Sequence, residues 1–308
     1  MTSRPTESEP LVVAGVPIER TFAEAFDMKA TRLILTAHDR QWVSESAAAM
    51  VGFGTSIIAC GIEIAVEREL APEETPDGRP GVAILAFAVS GKELDKQIAR
   101  RAGQCVLTCP TTALFAGLEG TAKVPLGKTL RYFGDGYQSS KVIGGRRYWR
   151  IPVMDGEFLC EAETARVDAV GGGNFLLLGR SLDRVLDACR ASTEAIRPLA
   201  GVITPFPGGA TRSGSKVGSK YKALFASTNE AYCPSLHGLV NQPFGDEVEA
   251  IVEIVIDGMT PQQVAHAMRV GIEAACHRVG PAGLVGVTAG NYGGKLGRHH
   301  FHLQEVLG

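Results

Sequence analysis

Residues 248–276 read VEAIVEIVIDGMTPQQVAHAMRVGIEAAC, and this stretch decides the fold. Its first ten residues are dominated by branched apolar side chains in alternation, the pattern of a β-strand. Thr260, Pro261 and Gln263 then supply an N-cap, a first-turn proline and a capping-box glutamine, so a helix follows with Val264, Met268, Ile272 and Ala275 on its inner face. LVGVTAG at 284–290 returns as a strand. The same unit precedes it: a strand at 174–179, a helix opened by Ser181 with Leu182, Val185, Leu186 and Cys189 at helical spacing, and the strand GVITPF at 201–206. The first half repeats the order. RLILTA at 32–37 reads as a strand, residues 39–50 as a helix burying Trp42, Val43, Ala49 and Met50, and TSIIAC at 55–60 as the next strand. The turn PEETPDGRPG leads to a strand at 82–89, a helix capped by Ser90 and Glu93 with Leu94 and Ile98 inside, and a closing strand QCVLTC at 104–109. Between the halves, residues 131–164 read as β-ribbon with turns at FGDG, IGG and MDG. The pattern predicts an α+β protein of two ferredoxin-like (split βαβ) lobes in tandem, residues 1–160 with the ribbon and residues 161–308.

Composition narrows the function. With 308 residues, 45% of them hydrophobic, the chain can bury its own core. A formal net charge of −2 offers nothing to nucleic acid or anionic lipid, which points to small molecules and protein partners. Seven cysteines form no dense framework, and Cys105 and Cys109 are one residue too far apart for a redox CxxC pair, so reduced thiols in the cytoplasm are expected. The apolar run at 82–89 is far shorter than the roughly 20 residues of a membrane span, and MTSRPTESEP lacks the basic start and apolar core of a signal peptide.

One segment has no counterpart in the first half. Residues 207–247 form a long insertion rich in Gly, Ser, Lys, Thr and Asn, carrying SGSKVGSKYK and STNEAYCP behind PFPGG. Phe206, Tyr221, Phe225 and Tyr232 suggest a packed excursion rather than a mobile loop. Its backbone-exposing glycines and polar donors suit a polar ligand: Gly208, Gly209, Ser215, Lys216, Lys220, Ser227, Thr228, Asn229 and Tyr232 are candidate contacts, with Asn291 and Lys295 of GNYGGKLG. Each lysine could receive a carboxylate or phosphate, or simply be a solvated surface group. The glycine clusters GGGNF and GNYGGKLG do not fall between a strand and a helix in GxGxxG order, and no P-loop is present. His299, His300 and His302 have no spaced Cys or Asp partners, so no metal is expected.

Glu253 is the most informative carboxylate. Alternation puts Glu249, Ile251, Glu253, Val255 and Asp257 on one strand face, so Glu253 lies between two branched apolar side chains. Desolvation there raises a carboxyl pKa, and a neutral acid can donate to a developing oxyanion; a buried structural pair with Lys or Arg is the competing reading.

The stretches TFAEAF, GFGTSII, PEETPDGRPG, GQCVLT, FGDGYQ, GGNF, PFPGG, SKVGSK, ASTNEAYCP, MRVGIEAAC and AGNYGGKLG, in this order, resemble the formylmethanofuran:tetrahydromethanopterin formyltransferase family. The resemblance implies two ferredoxin-like lobes and no metal or prosthetic group. It places the family's catalytic glutamate on Glu253 through IVEIVIDG. It implies transfer of a formyl group between N5 of tetrahydromethanopterin and the primary amine of a methanofuran-type carrier, both as co-substrates. Residues 1–14 extend beyond the archaeal pattern, and the chain looks more like the bacterial form. That form implies operation towards formylmethanofuran in formaldehyde oxidation to formate, beside hydrolase-complex subunits. Family members are homo-oligomers, commonly tetramers. A non-catalytic scaffold or carrier-binding subunit of such a complex is the alternative, against which retention of Glu253 argues.

Overall fold

The computed structural model describes residues 11–308, so the polar leader and most of the N-terminal extension lie outside the described residues. In the first half the chain forms the strand Phe22–Thr36, the helix Arg40–Val51, the strands Glu63–Leu70 and Gly81–Ala88, the helix Gly91–Arg101 and the strand Ala113–Ala116. The second half forms Val167–Gly179, the helix Leu182–Ile196, Val202–Ile203, Ala250–Gly258, the helix Pro261–Gly283 and Leu284–Thr288. In both halves the order across the sheet, counting strands as the chain makes them, is second, third, first, fourth, and every neighbour is antiparallel. The helices of the second half pack on Phe175, Leu177, Val252, Ile254 and Ile256. Large side chains buried this way stabilise the fold by about 1.5–3 kcal/mol each.

The fold is α+β, and the two halves share one mixed sheet of 12 strands. The first strand is long enough to serve both: its residues Phe26 to Ala30 pair with Gly171 to Val167, while its later residues pair within the first half. The C-terminal strand His299–His302 returns to pair with Phe22 to Ala25. Polar ties cross the same boundary. Glu67, 6% exposed, accepts two bonds from the Arg32 guanidinium at 2.6 and 2.8 Å and a third from the Gly201 N–H at 2.7 Å.

Several local expectations are corrected. TSIIAC is not a strand: the Ser56 hydroxyl accepts the Ile58 N–H, a short helix spans Ile57–Cys60, and Gly61 ends it at φ +71°. The strand is the more polar Glu63–Leu70, whose Glu63 and Glu67 are buried. QCVLTC continues the preceding helix as a π-turn, Ala102–Val106, with the Leu107 N–H bonded to the Ala102 carbonyl, and the strand comes later at Ala113–Ala116. The helix Arg40–Val51 buries Val43, Ser46, Ala47 and Met50, leaving Trp42 and Ala49 outside. Leu182 and Leu186 are likewise exposed while Ala188 takes the inner position. Within 131–164, Arg131–Gly134 is a helical turn and the ribbon is Ser139–Ile143, Arg146–Val153 and Gly156–Glu161. Gly144 and Gly145 both adopt positive φ in its two-residue turn. No helix among the described residues is long and apolar enough to cross a membrane.

Candidate active site

Because the helices cover one face of the second-half sheet, the opposite face needs another cover, and the insertion supplies it. Leu176, Leu178 and Val248 form a small cluster there with Ile251 and Val285, onto which Tyr232 and Phe244 of the insertion pack, their rings 6.2 Å apart. Tyr221 and Phe225, expected in that packing, instead stand 73% and 91% exposed on a hairpin of the insertion, whose strands are Ser215–Val217 and Ala226–Thr228. The insertion joins the sheet directly opposite Glu253: Thr211 and Glu253 exchange both backbone bonds at 2.8 Å.

Glu253 therefore sits on the helix-free face, beside Leu176, under the insertion. The residue as a whole is partly buried, and no hydrogen bond or ion pair engages its carboxyl among the described residues. A side chain at Gly214 would come within 3.4 Å of its Oε2, so the backbone of the insertion passes close over the acid. Burial pushes its pKa up to about 7. Tyr292 reaches the same place from the C-terminal loop: burial and then the nearby Glu253 charge raise its phenol, against a hydrogen bond with Ser215. Tyr292 thus pairs with Ser215 within electrostatic reach of Glu253, and a carboxyl that titrates near neutrality can hold or release a proton there.

The loop bearing Tyr292 is held by a residue that pattern reading passed over. Glu24, 1% exposed in the first strand, accepts the N–H groups of Tyr292 and Gly294 on one oxygen, at 2.6 and 2.8 Å, and of Leu296 and Gly297 on the other, both at 2.6 Å. Burial alone would raise its pKa, but the four donors outweigh it and hold the carboxyl below the usual range. Asn174 fixes the start of the loop, accepting the Gly290 N–H at 2.6 Å and donating to the Gly290 carbonyl at 3.1 Å. The signal available was Glu24 inside TFAEAF, an acid amid apolar residues. Four positions beyond Glu253, Asp257 accepts the Gly172 N–H at 3.0 Å and faces Glu63 of the first half. Burial pushes both carboxyls up, and the Glu63 charge raises Asp257 further.

The other candidates are distributed unevenly. Lys216 is ion-paired with Glu230, whereas Lys220 and Lys295 are exposed with no ion pair among the described residues. Ser227 donates to the Gly218 carbonyl at 2.7 Å, and Thr228 lies 3.4 Å from the Cys233 sulfur, so both are engaged inside the hairpin. Asn229 joins its base through its N–H to the Gly214 carbonyl at 2.8 Å. Asn291 donates to Thr21 and Phe22 and orders its own loop. Gly208 and Gly209 line a separate 230 Å³ cavity with Thr193 and Glu67, and Glu253 is not among its lining residues. His299 contacts Asp27 at 2.9 Å, while His300 and His302 pack on Phe22.

Comparison with known proteins agrees with this architecture. Residues 11–153 match the family model for formylmethanofuran-tetrahydromethanopterin formyltransferase, and residues 156–306 match the model for the proximal lobe of the same family. A formylmethanofuran–tetrahydromethanopterin formyltransferase of Rhodopirellula baltica is 63% identical over 311 residues, covering 96% of this chain and 93% of the relative. The crystal structure of the formyltransferase/hydrolase complex from Methylorubrum extorquens with methylofuran contains a chain that superposes with a TM-score of 0.94 at 50% identity, covering 97% of this chain and 99% of that one. The formyltransferase from Methanosarcina barkeri superposes at 0.90 with 42% identity, covering 96% and 100%. The chain belongs to the formylmethanofuran–tetrahydromethanopterin formyltransferase family, whose members are enzymes of formyl transfer.

Proposed function

We propose that the chain moves a formyl group from N5 of tetrahydromethanopterin to the primary amine of a methanofuran-type carrier, with Glu253 as the neutral acid at the reacting carbonyl. The observation that carries this is the Glu253 carboxyl itself, free of any ion pair among the described residues and titrating at about 7. The amine nitrogen attacks the formyl carbon and the carbonyl electrons move to oxygen. Protonated Glu253 donates to that oxygen, offsetting charge where it develops. Collapse breaks the bond from carbon to N5, N5 takes up a proton, the attacking nitrogen loses one, and Glu253 recovers its own. Holding both carriers together supplies further acceleration through proximity. Ser215 and Tyr292 lie near the acid, and Lys220 and Lys295 are exposed cations of the two covering loops without an ion pair among the described residues, suited to acidic carrier tails.

Other features of the reading rest on the same footing. The strand order supports two ferredoxin-like lobes, which we divide at residues 160 and 161. An assembly with hydrolase subunits is supported by the close superposition on a chain of the Methylorubrum complex, and direction towards formylmethanofuran belongs to the same proposal. Homo-oligomers, tetramers by resemblance, are part of the same proposal. The test is an assay of the isolated chain with formyl-tetrahydromethanopterin and a methanofuran. Turnover by the wild type and loss of on the order of 10²-fold in Glu253→Ala support the reading. Carrier binding without turnover would make the chain a scaffold.

A further inference from the structure

A cavity of about 740 Å³ opens in the first half, where the turn Gly127–Leu130 meets the ribbon strand Arg146–Val153. None of its lining residues belongs to the Glu253 site. Lys123, Lys128, Arg131, Arg146 and Arg147 line it against three carboxylates, Glu119, Glu161 and Glu163. Five cations against three carboxylates leave a formal excess of two positive charges. Arg146 engages both Glu119 and Glu161, the latter at 3.7 Å, and the remaining four cations make no ion pair with any lining carboxylate.

Arg131 is prepared for an anion. Its guanidinium lies 4.6 Å from the centre of the Trp149 ring and 4.8 Å from that of Tyr132. Stacking occupies the faces of the guanidinium and leaves its in-plane N–H donors for carboxylate or phosphate; one of them donates to the Tyr132 hydroxyl at 2.9 Å. Gly127 permits this arrangement. A Cβ there would fall 2.9 Å from Trp149 Cδ1 and 3.0 Å from the carbonyl oxygens of Cys160 and Glu161, so only glycine lets the turn bearing Lys128 and Arg131 seat against the ribbon.

We propose that this cavity is a second binding site, separate from formyl transfer, for a polyanionic ligand bearing at least two carboxylate or phosphate groups. Its volume lies within the roughly 300–1,000 Å³ of small-molecule sites, and its unpaired cations are too many for a single carboxylate. The chain contains two tryptophans, so exposed Trp42→Phe leaves Trp149 as the sole reporter on the cavity wall. The full chain is titrated with hexaglutamate, inorganic triphosphate and, as a neutral control, hexaglutamine, by Trp149 fluorescence and by calorimetry on the unsubstituted protein. The expected result is saturable binding of at least one of the two anions, none of hexaglutamine, and weakening of about tenfold or more in exposed Lys128→Ala, deepened by Arg131→Ala. Preference for hexaglutamate identifies a carboxylate chain, and preference for triphosphate identifies a phosphate ligand. No calorimetric binding of either anion, or binding that Lys128→Ala and Arg131→Ala leave unchanged, would overturn the proposal.

Discussion

Replacing Glu24 by Gln should release the loop that carries Tyr292 without unfolding the protein. The carboxylate accepts four backbone N–H groups, two on each oxygen. A carboxamide keeps one accepting oxygen and presents an NH₂ group to the other pair, so two charge-assisted bonds vanish. At about 1.5–3 kcal/mol each, the loss is about 3–6 kcal/mol. The loop can open alone, so the loss should appear as local opening rather than a lower global stability. Every 1.4 kcal/mol is tenfold, so hydrogen exchange at the amides of Tyr292, Gly294, Leu296 and Gly297 should accelerate by about 10²-fold or more, while the helix Pro261–Gly283 keeps its protection. The wild type carries the same dependence on pH. The folded pKa of Glu24 is depressed, so its contribution is fully present above the ordinary glutamate range and is lost as pH falls through the folded value. Wild-type protection of those four amides in Glu24→Gln would refute the reasoning.

Further outcomes follow from the geometry. Asp257 and Glu63 hold protons more tightly folded than unfolded, so their contribution is greatest below the ordinary carboxylate range and falls as pH rises. Asp257→Asn should flatten that decline in denaturant melts across pH, because its amide can donate to Glu63 while its oxygen still accepts from Gly172. Gly297→Ala places a methyl 2.3 Å from the Ala25 carbonyl oxygen, a backbone atom that cannot step aside, and should destabilise by about 1–3 kcal/mol in thermal melts. Lys220→Ala should raise KM for a carrier with an acidic tail and leave kcat unchanged, as expected when uniform binding is lost. Lys216→Ala should also loosen the hairpin, because Lys216 holds Glu230, and limited proteolysis there separates the two effects.

Much of the fold was legible because strong local signals agreed with it. The caps at Ser90, Ser181 and Thr260 each accept a backbone N–H as their spacing predicts. TSIIAC and QCVLTC misled because a short apolar run fits a strand and a buried helical turn equally well, and only tertiary packing arbitrates. The fusion of the halves was hidden in TFAEAF, where an acid interrupts the apolar pattern of a strand bonded on both edges. At the site, alternation exposed Glu253 as a poorly solvated acid, and the structure adds why: the insertion covers a face without helices. The acid in TFAEAF was visible, but the roles of Glu24 and Tyr292 were not, since they depend on contacts between residues 268 or more positions apart. The hairpin polar groups looked like ligand donors by composition; the Ser227 and Thr228 hydroxyls are engaged within the insertion, whereas Asn229 is tied only through its backbone.

The central claim, that Glu253 acts as a neutral acid, is tested most directly by kcat against pH for the wild type and Glu253→Gln. Ionised Glu253 would repel the developing oxyanion, so wild-type kcat should fall as pH rises through about 7. Gln cannot titrate and still offers a donor, so its profile should lose that alkaline limb while retaining more activity than Glu253→Ala. A wild-type kcat that stays level or climbs through that range, or a Gln variant that keeps the same limb, would contradict the account.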